Sequence, residues 1–154
     1  MSATTEPGGA AYLIDTSVLL RAAVDASRAA AAWFEARIGE AAFLAGSRWL
    51  ATEALRVVVN REVRGEPVDR RAVEEFLSAI DLLALDDEIA DQAAQIRHDL
   101  RGGDSLHVAT ALRLARDGGQ VVVITHDEKM AAAVRALGLA AHDPVTDDPG
   151  RGPV

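Results

Sequence analysis

Two kinds of hydrophobic run alternate along the chain. Short apolar stretches, AYLID (11–15), AAFLAG (41–46), DLLAL (81–85), VVVIT (121–125) and LAAHD (139–143), read as strands. VVVIT is β-branched and unbroken, as a strand buried on both faces should be, whereas LAAHD reads as an edge strand. Between them lie longer segments with apolar residues at helical spacing. These predict a helical start after Asp15 and helices over 26–39, 47–65, 68–80, 86–103, 104–119 and 127–138. In the first full helix Trp33 and Phe34 mark the apolar side and Gly39 the stop. Ser47 is placed to cap the next, which closes at Gly65. Acids open the segment 86–103, and glycine pairs end both it and 104–119. Strands separated by helices predict an α/β fold, with a parallel β-sheet flanked by helices in a single domain over 11–143. Residues 1–10 and 144–154, rich in Gly, Pro and Asp, read as flexible tails.

The 154-residue length fits one domain, and with 49% apolar and 26% charged residues the chain can bury a real core. The absence of cysteine excludes disulfide frameworks, thiolate nucleophiles and zinc–thiolate sites. A net charge of −8 argues against non-specific attraction to nucleic acid or anionic membrane. It leaves a nuclease open, because bound metal neutralises carboxylates. No apolar run reaches the roughly 18–20 residues of a membrane span, and the opening MSATTEPGGA carries neither a basic nor an apolar segment. A cytoplasmic protein is expected.

The chemistry lies in the acids. Asp15 ends the first strand and Asp127 follows VVVIT by two residues, where open α/β sheets bind ligands. Each could instead be an ordinary helix N-cap, and so could Asp104 in GGDSLH. Glu53 differs, since its helical neighbours Trp49, Leu50 and Val57 are all apolar. Either it reaches solvent at the edge of that face, or something cationic compensates its burial. Acids that converge at one sheet end repel one another unless a cation joins them. Oxygen-only ligands suit Mg²⁺ or Mn²⁺. The four histidines form no H-x-x-x-H pair, which argues against zinc. His107, one turn after Asp104, is read as a core-edge residue in preference to a site residue. His126 is read as a loop residue facing solvent, and His142 has no assigned role. Neither a P-loop nor a G-x-G-x-x-G fingerprint is present.

LIDTSVLLR, SRWLATEALR, LRGGDSLHVATAL and VVVITHDEKMAAAVRALGL occur in the order and spacing of PIN-domain ribonucleases. The chain most resembles the VapC-like toxins of VapBC-type toxin–antitoxin modules, over roughly residues 11–143. The resemblance implies an acidic pocket holding Mg²⁺ or Mn²⁺, with Asp15, Glu53, Asp104 and Asp127 as catalytic metal ligands. It assigns supporting roles to Thr16, Ser17 and Thr125, the last orienting Asp127 or a water. It also implies an RNA substrate, a cognate antitoxin and a homodimer, with no membrane partner. GGDSLH departs from many relatives, which carry alanine after the acid and bulkier residues before it.

The leading expectation is therefore a metal-dependent endoribonuclease toxin. A housekeeping PIN nuclease of RNA maturation is the alternative within the same fold. A small-molecule phosphohydrolase of the haloacid dehalogenase type would need a second acid two residues after Asp15, where Ser17 stands. A non-catalytic binding module would have no use for four intact acids. Arg21, Arg48, Arg56 and Lys129 are the candidates for contacting the RNA backbone, while RVVVNREVR (56–64) reads mainly as a solvated face.

Overall fold

The computed structural model describes residues 9–25 and 27–146; most of both proposed tails, 1–8 and 147–154, lies outside the described residues. Five strands, β1 (Ala11–Ile14), β2 (Phe43–Ser47), β3 (Asp81–Leu83), β4 (Val121–Ile124) and β5 (Ala140–His142), form one sheet in the order β3-β2-β1-β4-β5. All pairings are parallel. The helices are α1 (Thr16–Ala23), α2 (Arg28–Gly39), α3 (Arg48–Val63), α4 (Arg70–Ser78), α5 (Asp87–Gln95), α6 (Gly102–Arg116) and α7 (Glu128–Ala136).

The period-2 geometry of the two central strands divides the core. Ile14 and Ile124 turn to one face, where Trp33 and Phe34 of α2, Leu50 and Val58 of α3 and Val73 of α4 bury them. Leu13, Val121 and Val123 turn to the other, against Val108 of α6 and Met130 and Val134 of α7. Covering both faces is what lets β4 be apolar throughout. The order of strands reverses direction between β1 and β4, so the crevice beyond their carboxyl ends is the expected ligand position.

Every predicted strand is present, and the departures lie in the helices. The segment 86–103 is not one helix: α5 stops at Gln95, and Ile96 is extended. The chain beyond the break carries Ile96 and Leu100 onto the α6–β4–α7 core, where their burial offsets the helical hydrogen bonds given up. Gly102 and Gly103, expected to end that helix, instead begin α6. Gly65, at φ +68°, does close α3, but α2 ends by a different device. There Ala41, at φ +53°, takes the left-handed position in place of Gly39.

Candidate active site

The register of the sheet builds the first half of the site. Ile14 pairs with Ile124, so Asp15 and Thr125 emerge side by side at the carboxyl edge. Thr125 Oγ1 donates to Asp15 Oδ2 at 2.8 Å and accepts the Asp127 backbone N–H at 3.0 Å. Ser17 Oγ donates to the same Asp15 oxygen at 2.7 Å. One buried threonine thus ties the acid after β1 to the acid after β4. It orients Asp15 through its side chain and Asp127 only through the backbone, a division that the sequence reading did not anticipate.

The choice between helix cap and site residue resolves differently for each acid. Asp15 stands at the N-cap of α1, yet its carboxylate makes no capping bond and is 4% exposed. Asp127 does cap, accepting the N–H groups of Lys129 and Met130 on Oδ1. Asp104 is no cap at all; it lies in the first turn of α6, whose N-cap is Arg101. Ser47, expected to cap α3, makes no capping bond either. Its hydroxyl lies 2.9 Å from Nδ1 of His107.

His107 supplies the compensation Glu53 needs. It is fully buried, and Nε2 sits 2.9 Å from Glu53 Oε2, 3.1 Å from Thr16 Oγ1 and 3.8 Å from Asp15 Oδ1. A carboxylate only accepts, so Nε2 carries a proton toward Glu53. The Ser47 hydroxyl can serve Nδ1 either as donor or as acceptor, whichever the ring requires. Thr16 also donates to Glu53 Oε2. Burial raises the Glu53 carboxyl, but the hydrogen bonds from His107 and Thr16, with the His107 charge and the Trp49 indole adding to them, hold the acid below its ordinary range. The core-edge reading of His107 is thereby corrected: it is core and site at once. The apolar positions around it masked this, and its spacing of one turn from Asp104 was the only signal.

Asp15, Glu53, Asp104 and Asp127 all line one pocket of about 500 Å³. Asp104 registers their convergence most clearly. Its own burial, then the charges of Asp15 and Asp127, with Glu53 adding to them, push its carboxyl above the ordinary aspartate range, and His107 only partly opposes this. Trp49 shares the pocket wall, its indole N–H directed at Glu53 without closing a well-formed hydrogen bond. The glycine before Asp104 now has a reason. A Cβ on Gly103 would stand 2.6 Å from Trp49 Nε1 and 2.7 Å from Glu53 Oε1, so a bulkier residue would displace one or the other.

The basic residues sort themselves as well. Arg56 lines the pocket and so does Arg101, which the sequence did not single out. Arg21 and Arg48 are exposed and do not line it, and Lys129 pairs with Asp99 at 2.6 Å. Arg61 and Arg64 are engaged locally with Asp25 and Glu66, whereas Arg56 of the same stretch reaches the pocket. His126 does not face solvent: its ring is 9% exposed and bonds Asp143 at 2.7 Å. His142 lies on the edge strand β5.

The donor set fits a hard divalent cation. The pocket offers carboxylate oxygens without thiolates, and their mutual repulsion is relieved by a positive charge. Among the described residues no three His, Asp or Glu side chains close into a preformed metal cage.

The profile of the PIN domain matches residues 12–136. The chain belongs to the PIN-domain family. Ribonuclease VapC46 of Mycobacterium tuberculosis is 33% identical over 93 residues, spanning 60% of this chain and 67% of that protein. Two solved structures share the PIN fold. One is VapBC2 from Rickettsia felis bound to a DNA fragment from its promoter, with TM-score 0.66 and 13% identity, over 86% of this chain and 98% of that one. The other is a toxin–antitoxin complex from Klebsiella pneumoniae, with TM-score 0.58 and 22% identity, over 86% and 97%. Within this PIN domain, the buried Ser47–His107–Glu53 chain and the Thr125 tie are the parts that hold the acids in place.

Two substitutions should separate these supports. Ser47→Ala leaves Nδ1 of a fully buried imidazole without a partner, at an expected cost of about 1–3 kcal/mol in chemical denaturation. Thr125→Val keeps the shape but frees Asp15 on one side. Cleavage should fall roughly 10- to 100-fold, as for other groups that orient metal ligands. Unchanged activity in Thr125→Val would show that Ser17 alone positions Asp15.

Proposed function

We propose that the protein is a cytoplasmic, Mg²⁺- or Mn²⁺-dependent endoribonuclease, acting as the VapC-like toxin of a type II toxin–antitoxin module. The observation that carries this reading is the meeting of Asp15, Glu53, Asp104 and Asp127 at one pocket, where burial and then the charges of the other three acids raise Asp104. The VapC ribonuclease resemblance supports it, as do the toxin–antitoxin complexes among the structures of like fold.

Asp15, Glu53, Asp104 and Asp127 are the residues that would hold the cation. When bound, it supplies Lewis-acid stabilisation of phosphoryl charge and activates water for in-line attack. The chain's own part is orientation. Thr125 and Ser17 fix Asp15 on a single oxygen, leaving Oδ1 turned toward the Glu53–His107 side at 3.8 Å from Nε2. His107 and Thr16 fix Glu53 on Oε2, and capping of α7 fixes Asp127 on Oδ1. Three acids therefore each have one oxygen secured by the fold.

The partner proposed is an antitoxin that inhibits by setting a guanidinium among the acids, since charge-assisted pairing of arginine with carboxylate is strong. The active unit is proposed to be a homodimer. Expression of the chain alone should slow bacterial growth, and Asp104→Asn should relieve this at equal protein level. Co-expression of the neighbouring antitoxin should restore growth, and replacing the inserted arginine with alanine should abolish the rescue. Normal growth with intact bulk RNA, and no cleavage of purified RNA, would count against the toxin reading. Cleavage of purified RNA without a growth defect would favour the housekeeping nuclease.

A further inference from the structure

The carboxylates occupy only part of the pocket. Leu20 of α1 and Trp49 and Val57 of α3 supply a half-buried apolar wall, and Arg56 and Arg101 stand on the same lining. Metal chemistry needs neither an indole nor an aliphatic wall. From this juxtaposition we infer that the wall is a nucleobase subsite, in which one unstacked base beside the scissile phosphate lies against Trp49 while Arg56 and Arg101 take the neighbouring phosphates. The inference rests on the nuclease reading above and adds to it a requirement for a flexible, unpaired base at one position.

Three features favour a base as occupant. The charges fit a polyanion threading past acids: the two guanidiniums are at the pocket, and Arg101 forms no salt bridge among the described residues, so its charge is not already spent. Arg56 holds only the neutral Asn60, at 2.7 Å. The indole is also held in place before any strand arrives. Its pyrrole edge lies over Gly103, where a Cβ would come within 2.6 Å of Nε1 and 3.2 Å of Cδ1, and beside Glu53. A platform fixed in advance loses little freedom on binding. Every base has a π-face, so stacking here selects unpaired strand over duplex without dictating which base.

Trp49 also provides the readout. The only other tryptophan, Trp33, is 6% exposed and enclosed by Tyr12 and Phe34, so a strand cannot reach it. The experiment uses the full chain carrying Asp127→Asn, to keep the strand intact, and a short single-stranded RNA with or without one abasic position moved along it. Binding is followed by both anisotropy and tryptophan emission. The base-containing strand should quench emission, and an abasic residue at one position should abolish the quench. Trp49→Ala should weaken binding roughly 5- to 150-fold, with Trp49→Phe retaining most of the affinity. Arg101→Ala and Arg56→Ala should each lower the salt slope by about 0.7.

Binding that is equally tight for every abasic strand and for Trp49→Ala, with no quench, overturns the subsite and leaves the nuclease reading standing. Absence of binding to any strand takes down both. Quenching that grows with protein concentration in the absence of RNA assigns the wall to contact between copies of the chain, and so overturns the inference.

Discussion

Replacing Asp15 with asparagine should cut metal-dependent RNA cleavage by roughly a hundredfold or more, because even groups that only orient metal ligands are worth 10- to 100-fold. The fold should survive. The substituted amide would still offer one carbonyl oxygen to the hydroxyls of Ser17 and Thr125, which donate to Asp15 Oδ2 at 2.7 and 2.8 Å. What is lost is the charge and the second oxygen, the one no other side chain hydrogen-bonds. Asparagine is therefore a sharper probe than alanine, which would also strand two donors at a position only 4% exposed. Circular dichroism and a chelator-treated melt close to wild type, together with lost cleavage, are the expected pair of results. Lost cleavage accompanied by a collapsed melt would make Asp15 structural.

The second large effect concerns Asp104 and reverses sign with metal. Its carboxyl is raised by burial and by the charges of Asp15, Asp127 and Glu53. A carboxyl with a higher pKa folded than unfolded holds its proton more tightly in the fold. Its ionisation then costs stability as pH rises above the unfolded value, and the cost is complete above the folded one. In chelator at neutral pH, Asp104→Asn should melt at or above wild type. Below the ordinary aspartate range that advantage should vanish, since the acid is then neutral in both states. With Mn²⁺ near a hundredfold its dissociation constant, wild type gains about 2.7 kcal/mol, or roughly 5–10 °C for a domain of this size. Asp104→Asn should gain much less. Identical melts with and without millimolar metal would mean that the four acids form no site.

The architecture was legible because it rests on strong local signals. An unbroken β-branched run such as VVVI has few places to go but a doubly covered strand, and strand–helix alternation then fixes a parallel sheet. The positions of Asp15, Asp104 and Asp127 at strand ends and helix starts were legible for the same reason, whereas Glu53 stood out as a charge within an apolar helix face. The hydrogen bonds were not, because they depend on register. Asp15 and Ser47 have the residue type and position of helix caps, and only the sheet shows that tertiary partners, Thr125 for one and His107 for the other, have displaced the local bond. The break after Gln95 is a similar case: the local pattern favours continuing the helix, but burying Ile96 and Leu100 against α6, β4 and α7 overrides it. His107 was obscured by its apolar neighbours, and Arg101 by falling inside the helix predicted over 86–103, whereas it stands after the break as the N-cap of α6.

The most direct test of the central claim is cleavage of an end-labelled single-stranded RNA by the purified chain, first stripped with chelator and then titrated with Mn²⁺. No cleavage before metal, saturable cleavage as metal is added, and near-complete loss in Asp15→Asn are expected. Equal cleavage by the stripped protein, or by Asp15→Asn at saturating metal, would contradict a metal-dependent nuclease built on these four acids.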